Sequence, residues 1–155
     1  MMDYGTTILH VKGEAEVKQA CEDYKTLVKT DERIATFNFN EPLEFYRNLD
    51  EDKKSKVTNL SADDVRLIVA TNGLESGVSI AGVRTSVLTM RRNVQMGSAG
   101  VFNLVSYNAT KSSVKQGGGR AGRTDGGRAI LLQKLQAAAE AERPEILAEF
   151  PAFLL

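Results

Sequence analysis

Short apolar runs alternate with amphipathic stretches along the chain. TTILHV (6–11) is a β-branched run that stops at Lys12-Gly13, which predicts a buried strand and its exit turn. Between Glu14 and about Lys29, the apolar positions Val17, Ala20, Cys21, Tyr24, Leu27 and Val28 recur at helical spacing and predict an amphipathic helix. IATFNF (34–39) predicts a second strand. Pro42 suits the first turn of a helix that takes in Leu43, Phe45, Tyr46 and Leu49 and runs into DEDKKSK. VRLIVAT (65–71) is the most apolar strand of the chain, and the polar, glycine-bearing NGLESGVSI follows it. RTSVLTM (84–90) and FNLVSYN (102–108) predict two more strands, with QMGSAG as a hairpin-like turn between them. ATKSSVKQ opens a helix, and RAILLQ (128–133) predicts a last strand. An Ala/Glu-rich helix over about 133–142 and a short helix restarted by Pro144 complete the pattern.

Apolar strands that alternate with amphipathic helices over short connections imply an α/β domain, with a largely parallel sheet covered by helices on both faces. At 155 residues, without an internal repeat or linker, residues 1–155 read as a single domain. In such sheets ligands lie beyond the carboxyl ends of the strands. NGLESG directly follows the most buried strand, which makes it a candidate on position.

Composition narrows this further. Hydrophobic residues at 42% and charged residues at 26% support an ordinary packed core. No stretch approaches the roughly 20 apolar residues of a membrane span, and MMDYGTT has neither part of a signal peptide, so an intracellular location is expected. A single cysteine, Cys21, cannot form an internal disulfide, and with one histidine it leaves no metal site of the usual zinc type. Cys21 lies on the apolar face of its helix and reads as a core residue, and His10 at a strand end reads as packing. The net charge of zero hides an uneven distribution. Lys12 to Asp64 holds 13 acidic and 9 basic residues, whereas Arg84 to Arg128 holds 8 basic residues and one acid, Asp125. That excess suits a phosphate-bearing partner, or equally a solvated basic face.

Two stretches carry candidate chemistry. ATNGLESGVSI (70–80) offers Thr71, Asn72, Ser76 and Ser79 for phosphate oxygens, with Gly73 and Gly77 for close backbone approach. It also reads as a plain strand-to-helix turn capped by Asn72 or Ser76. KQGGGRAGRTDGGR (115–128) lacks the P-loop pattern that binds the β- and γ-phosphates of a nucleotide. It does hold Gln116, then Arg120 and Arg123 three residues apart. On one helical turn that spacing puts both guanidiniums on one face, an arrangement suited to a phosphoryl group gaining charge. The competing reading is an exposed glycine-rich turn with solvated arginines.

Together, ATNGLESGVSI and, some 36 residues later, QGGGRAGR resemble motifs V and VI of superfamily 2 helicases. The pattern is similar to that of the DEAH-box RNA helicases and their viral DExH relatives, ATN-x-x-E-[TS] and Q-x-x-GRAGR. SVLTMRRNVQM-GSAG-VFNLVSYNATKSSVKQ resembles their strand, protruding β-hairpin and lead-in to motif VI. TTILHVKGEAEV is similar to the motif IV strand, and PEIL to the segment ending that domain. The resemblance implies the second of two RecA-like domains, with an inserted β-hairpin between motifs V and VI. ATP and Mg2+ would be held mainly by an N-terminal RecA-like partner domain. It further implies that Gln116, Arg120 and Arg123 face the γ-phosphate, with Arg123 as the arginine finger. Glu75, Ser76, Gly77 and Gly119 would couple nucleotide state to RNA grip. Thr71, Asn72, Arg91 and Arg92 would contact RNA, and the hairpin around Met96 to Val101 would wedge into it.

Three positions depart from the family pattern. Gly117 replaces the Arg that follows the motif VI Gln, which predicts a lost polar contact and a looser segment. Ala81 stands in place of an Asp after motif V, and Thr89 in place of an Asp near the end of the next strand. Gly117 and Ala81 favour the alternative of a non-catalytic RNA- or protein-binding module with the helicase fold. A self-contained Rossmann-like nucleotide binder is disfavoured, since no G-x-G-x-x-G follows the first strand.

Overall fold

A computed structural model describes residues 5–35, 40–71, 78–89, 91–98, 101–108, 111–121 and 126–132. Five strands form one parallel sheet: β1 (Thr6–His10), β2 (Leu43–Phe45), β3 (Leu67–Ala70), β4 (Val83–Leu88) and β7 (Arg128–Leu131). Their order is β2-β3-β1-β4-β7, so β1 lies in the middle. The strands β5 (Arg91–Ser98) and β6 (Val101–Asn108) pair only with each other, antiparallel, from Arg91↔Asn108 to Ser98↔Val101. The helices are α1 (Glu14–Thr30), α2 (Glu32–Ala35), α3 (Glu51–Thr58) and α4 (Lys111–Gly118).

Alternation along the strands divides the core in two. Ile8, Phe45, Ile68 and Ala70 pack with Val57 of α3, while Val69 packs on the opposite face with Val17 and Cys21 of α1. Ile8 is in register with Ser86 and His10 with Leu88, so these four share the α3 face. Leu88 packs there with Val114 of α4. Helices thus cover both faces, α1 on one and α3 with α4 on the other. Acidic residues in the first turn of α1 and Lys29 in its last turn complement the helix dipole. Among the described residues no helix is long and apolar enough to cross a membrane.

Two expected elements change type. Leu43 to Phe45 form the edge strand β2 in place of a helix, paired Leu43↔Ile68 and Phe45↔Ala70. Leu43 and Phe45 alternate with Glu44, and docking on β3 buries Phe45, a gain that outweighs the local helical spacing. Pro42, with no N–H, is tolerated beside an edge strand. The helix begins only at Glu51, where the charged run starts. Ile34 and Ala35, expected to open a strand, end the short helix α2. The Asp31 carboxylate accepts the Arg33 backbone N–H at 3.0 Å and so caps that helix. The strand β5 also extends through Ser98, into the stretch expected to turn. The two predicted C-terminal helices lie outside the described residues.

Gly82, which leads into β4, adopts φ 72°, and a Cβ there would sit 2.6 Å from the Ala62 carbonyl oxygen. The Gly82 carbonyl accepts the Thr6 N–H at 3.0 Å, which docks the start of β4 beside β1. Only glycine satisfies that turn without strain.

Candidate functional site

Chain order and sheet order together locate the crevice. From β1 the chain builds β2 and β3 on one side, then crosses to build β4 and β7 on the other. The connection out of β1 runs to one side of the sheet and that out of β4 to the other, so the carboxyl ends of β1 and β4 flank the reversal. His10 ends β1, and Thr89 follows β4. The Thr89 hydroxyl donates to the His10 carbonyl at 2.7 Å, and the Thr89 N–H donates to the same oxygen at 3.2 Å. Thr89 thus ties the two strand ends together.

The helix α4 delivers the glycine-rich stretch to this place. It ends at Gly118, and the chain tightens through Arg120 N–H to the Gly117 carbonyl at 3.3 Å and Ala121 N–H to the Gly118 carbonyl at 3.2 Å. Arg120 therefore lies in a turn past the helix end. The shared helical face expected for Arg120 and Arg123 is not what places Arg120, and Arg123 lies outside the described residues. The Arg120 side chain is buried and donates through Nη1 to the Val78 carbonyl. That bond joins the end of ATNGLESGVSI to the glycine-rich turn across 42 positions of sequence. Val78, Ile80 and Ala121 pack together against the α3-side core.

Beneath the turn lies a buried polar chain that the sequence pattern did not reveal. Ser86, fully buried in β4, donates through its hydroxyl to the Gly117 carbonyl at 2.7 Å. Its one proton is then committed, so the His10 Nε2 contact at 3.0 Å has the imidazole donating. The ring is consequently the Nε2–H tautomer, and its Nδ1 is a buried acceptor without a hydrogen-bond partner among the described residues. Burial, and secondarily the Arg120 charge, lower the His10 pKa to about 4. The signal present in the sequence was Ser86 itself, a hydroxyl inside an apolar strand.

Gly117 is the point of closest approach. It is buried, and a Cβ built on it would lie 2.5 Å from Leu88 Cδ2 and 3.7 Å from His10 Nε2. The expectation of a looser segment is therefore corrected. A glycine here lets the helix seat directly on β4, and the Gly117 carbonyl accepts from Ser86. Gly117→Ala destabilises by about 1–2 kcal/mol in urea unfolding, as overpacking exceeds the gain in helix propensity. The loss shrinks in a Leu88→Ala background, and equal losses in both backgrounds would refute the contact.

The remaining predicted residues divide clearly. Gln116 is exposed on the last turn of α4, and Gly119 is exposed just beyond it. Thr71 is half-buried at the end of β3, its N–H bonded to the Phe45 carbonyl at 3.1 Å. Asn72, Glu75, Ser76 and Gly77 lie outside the described residues. Arg91 and Arg92 open the hairpin, in register with Asn108 and Tyr107, directly after Thr89 and residue 90. Of the other basic residues, Lys115 is exposed, Arg84 donates to the Gly126 carbonyl at 3.3 Å, and Arg128 donates to Thr85 Oγ1 at 3.3 Å. Cys21 is buried, and burial raises its thiol pKa to about 11, which fits a packing role.

Comparison with solved structures places this fold. The chain is similar to the DExH-box NTPase HrpB of Escherichia coli, with TM-score 0.69 and 22% identity over 88% of this chain and 16% of that one. A second structure, described as the Escherichia coli DEAH/RHA helicase HrpB, matches with TM-score 0.68 and 22% identity over 88% of this chain and 17% of that one. The chain thus spans about one-sixth of the length of these neighbours. At this identity the likeness is one of fold, that of a RecA-like helicase domain. No family model and no curated protein sequence matches the chain.

Proposed function

We propose that this chain is the second RecA-like domain of an ATP-dependent RNA helicase. On this reading, Gln116, Arg120 and Arg123 contact the γ-phosphate, and Arg123 is the arginine finger. Thr71, Asn72, Arg91 and Arg92 contact the RNA backbone, while Glu75, Ser76, Gly77 and Gly119 link the two. The observation that carries the reading is the Arg120 bond to the Val78 carbonyl, on a fold shared with DExH-box NTPases. It joins the two stretches that such an enzyme needs side by side at the ends of its parallel strands.

The donor chemistry fits part of a nucleotide site. Gln116 offers an amide, and the arginines offer guanidinium forks, which suit phosphate oxygens rather than magnesium. Magnesium and most of the nucleotide are accordingly assigned to a companion RecA-like domain. When bound, the metal neutralises charge on the transferred phosphoryl group. On this reading the residues of this chain add cationic charge to the phosphoryl oxygens, and the exposed Gln116 amide would orient a water.

The test is ATP hydrolysis by the full-length protein, with and without single-stranded RNA, beside hydrolysis by residues 1–155 alone. Hydrolysis that RNA stimulates in the full-length protein, and that is absent from residues 1–155, is the expected result. A full-length protein that binds RNA yet hydrolyses no ATP would support the second reading, a non-catalytic module. Ala81, which stands where the family pattern has an acid, favours that alternative.

A further inference from the structure

We infer that His10, acting through Ser86, is a positioning residue for the turn that carries Gln116 and Arg120; this rests on the function proposed above. The Gly117 carbonyl is the fixed point of that turn. It accepts the Arg120 backbone N–H at 3.3 Å from within the turn and the Ser86 hydroxyl at 2.7 Å from the sheet. A serine hydroxyl rotates freely, and only a second bond dictates where it points. His10 Nε2–H supplies that second bond at 3.0 Å and so aims the Ser86 proton at Gly117.

His10 is itself held from the other side. Its carbonyl receives both the hydroxyl and the N–H of Thr89, at 2.7 Å and 3.2 Å, so the ring stands on a backbone tied to the end of β4. Its imidazole also lies against the helix, with Cε1 3.8 Å from the position a Gly117 Cβ would take. Packing alone could be met by an aliphatic pair in register, as Leu9 and Val87 are one residue along. A buried histidine with an unpartnered Nδ1 is a costly way to fill that space. What it adds is direction. A satisfied chain of hydrogen bonds in a low-dielectric interior fixes one geometry more tightly than apolar contact does. The two groups whose geometry depends on it are the exposed amide of Gln116, one residue before Gly117, and the guanidinium of Arg120, three after.

Among the described residues the charged group facing His10 is Arg120, and its other polar neighbours are Ser86 and Thr89. Since Arg120 approaches from the same turn, any movement of that turn changes both the hydrogen-bond chain and the distance to the cation. The role differs from direct participation in hydrolysis, because His10 is buried beneath the turn and reaches phosphate only through it.

The experiment compares His10→Leu and His10→Gln in the full-length protein, using ATP and a single-stranded homopolymer RNA. His10→Leu keeps the packing and removes the donor, and His10→Gln restores an N–H at the place of Nε2. The expected result is a kcat lowered by about 10- to 100-fold in His10→Leu, as a misplaced turn would give. KM for ATP stays within about threefold of wild type, and His10→Gln recovers most of the lost kcat. In parallel, amide hydrogen exchange on residues 1–155 is expected to quicken at Gly119, Arg120 and Ala121 in His10→Leu and not in His10→Gln. A folded His10→Leu protein with wild-type kcat and unchanged exchange overturns the inference, and so does a His10→Gln protein no better than His10→Leu. If wild-type protein hydrolyses no ATP, the function proposed above fails. The exchange measurement then decides the positioning role alone, upheld by faster exchange in His10→Leu only and overturned by unchanged exchange.

Discussion

On the function proposed above, Arg123→Ala in the full-length protein is expected to slow RNA-stimulated ATP turnover by about 10³-fold or more, the scale of a lost arginine finger. A permanently charged fork opposite the transferred phosphoryl group stabilises charge that exists only in the transition state, so the loss falls on kcat more than on KM. Arg120→Ala separates from it in kind. Arg120 is buried and bonded to the Val78 carbonyl, so its removal also leaves that carbonyl without this donor. The cost to folding is on the order of 1–3 kcal/mol. Steady-state kinetics and urea unfolding of both variants check the pair of outcomes. Near-normal turnover in Arg123→Ala would remove the finger assignment, and an Arg120→Ala protein as stable as wild type would remove the structural role of the Val78 bond.

Acidification weakens the fold through His10. In the unfolded chain this histidine titrates at its ordinary value near 6.5, and in the folded chain burial and the nearby Arg120 charge lower it to about 4. Above 6.5 the ring is neutral in both states and contributes no pH dependence. Between 6.5 and 4 the unfolded state binds the extra proton, so stability falls as pH falls, and below about 4 this contribution is exhausted. The gap corresponds to a loss on the order of 3 kcal/mol across that window. Urea unfolding at pH 7 and at pH 4.5 measures it, with His10→Gln as the reference that cannot titrate. Carboxylates titrate in part of the same range, so the difference between wild type and His10→Gln carries the result. Parallel losses in the two proteins would show that His10 is not the group responsible.

Four strands of the sheet were legible because each is built around a short apolar or β-branched run. Thr6–His10, Leu67–Ala70 and Arg128–Leu131 fall within predicted strands, Val83–Leu88 begins one residue before the predicted 84–90, and α1 follows its apolar period within a residue or two. The pattern failed where pairing decides the conformation. Leu43 and Phe45 suit one side of a helix or alternate positions of a strand, and only the exposed edge of β3 selects the strand. The site was legible as two stretches and not as a geometry. Composition made Gly117 look like one loose glycine among several, yet the position is tight because Leu88 lies over it, and no local sequence reports a neighbour 29 positions away. Arg120 likewise reads as an outward cation, until the helix end at Gly118 turns it toward Val78.

The central place of β1 also bears on how the chain folds as it is made. Both neighbours of β1 come later in the sequence, β3 at Leu67–Ala70 and β4 at Val83–Leu88. A ribosome therefore releases TTILH with no strand to receive it, and some 60 further residues must emerge before its first edge is paired. Synthesis at about 5–20 residues per second leaves that apolar strand exposed for several seconds. Its second edge stays open until β4 arrives. The amphipathic α1, which follows directly in the chain and forms from local contacts, is the first partner that can shelter an apolar face in the interval, and α3 with Val57 follows for the face of Ile8. The buried relay at His10 is completed later still, when α4 brings Gly117 onto β4, and β7 then pairs with the remaining edge of β4.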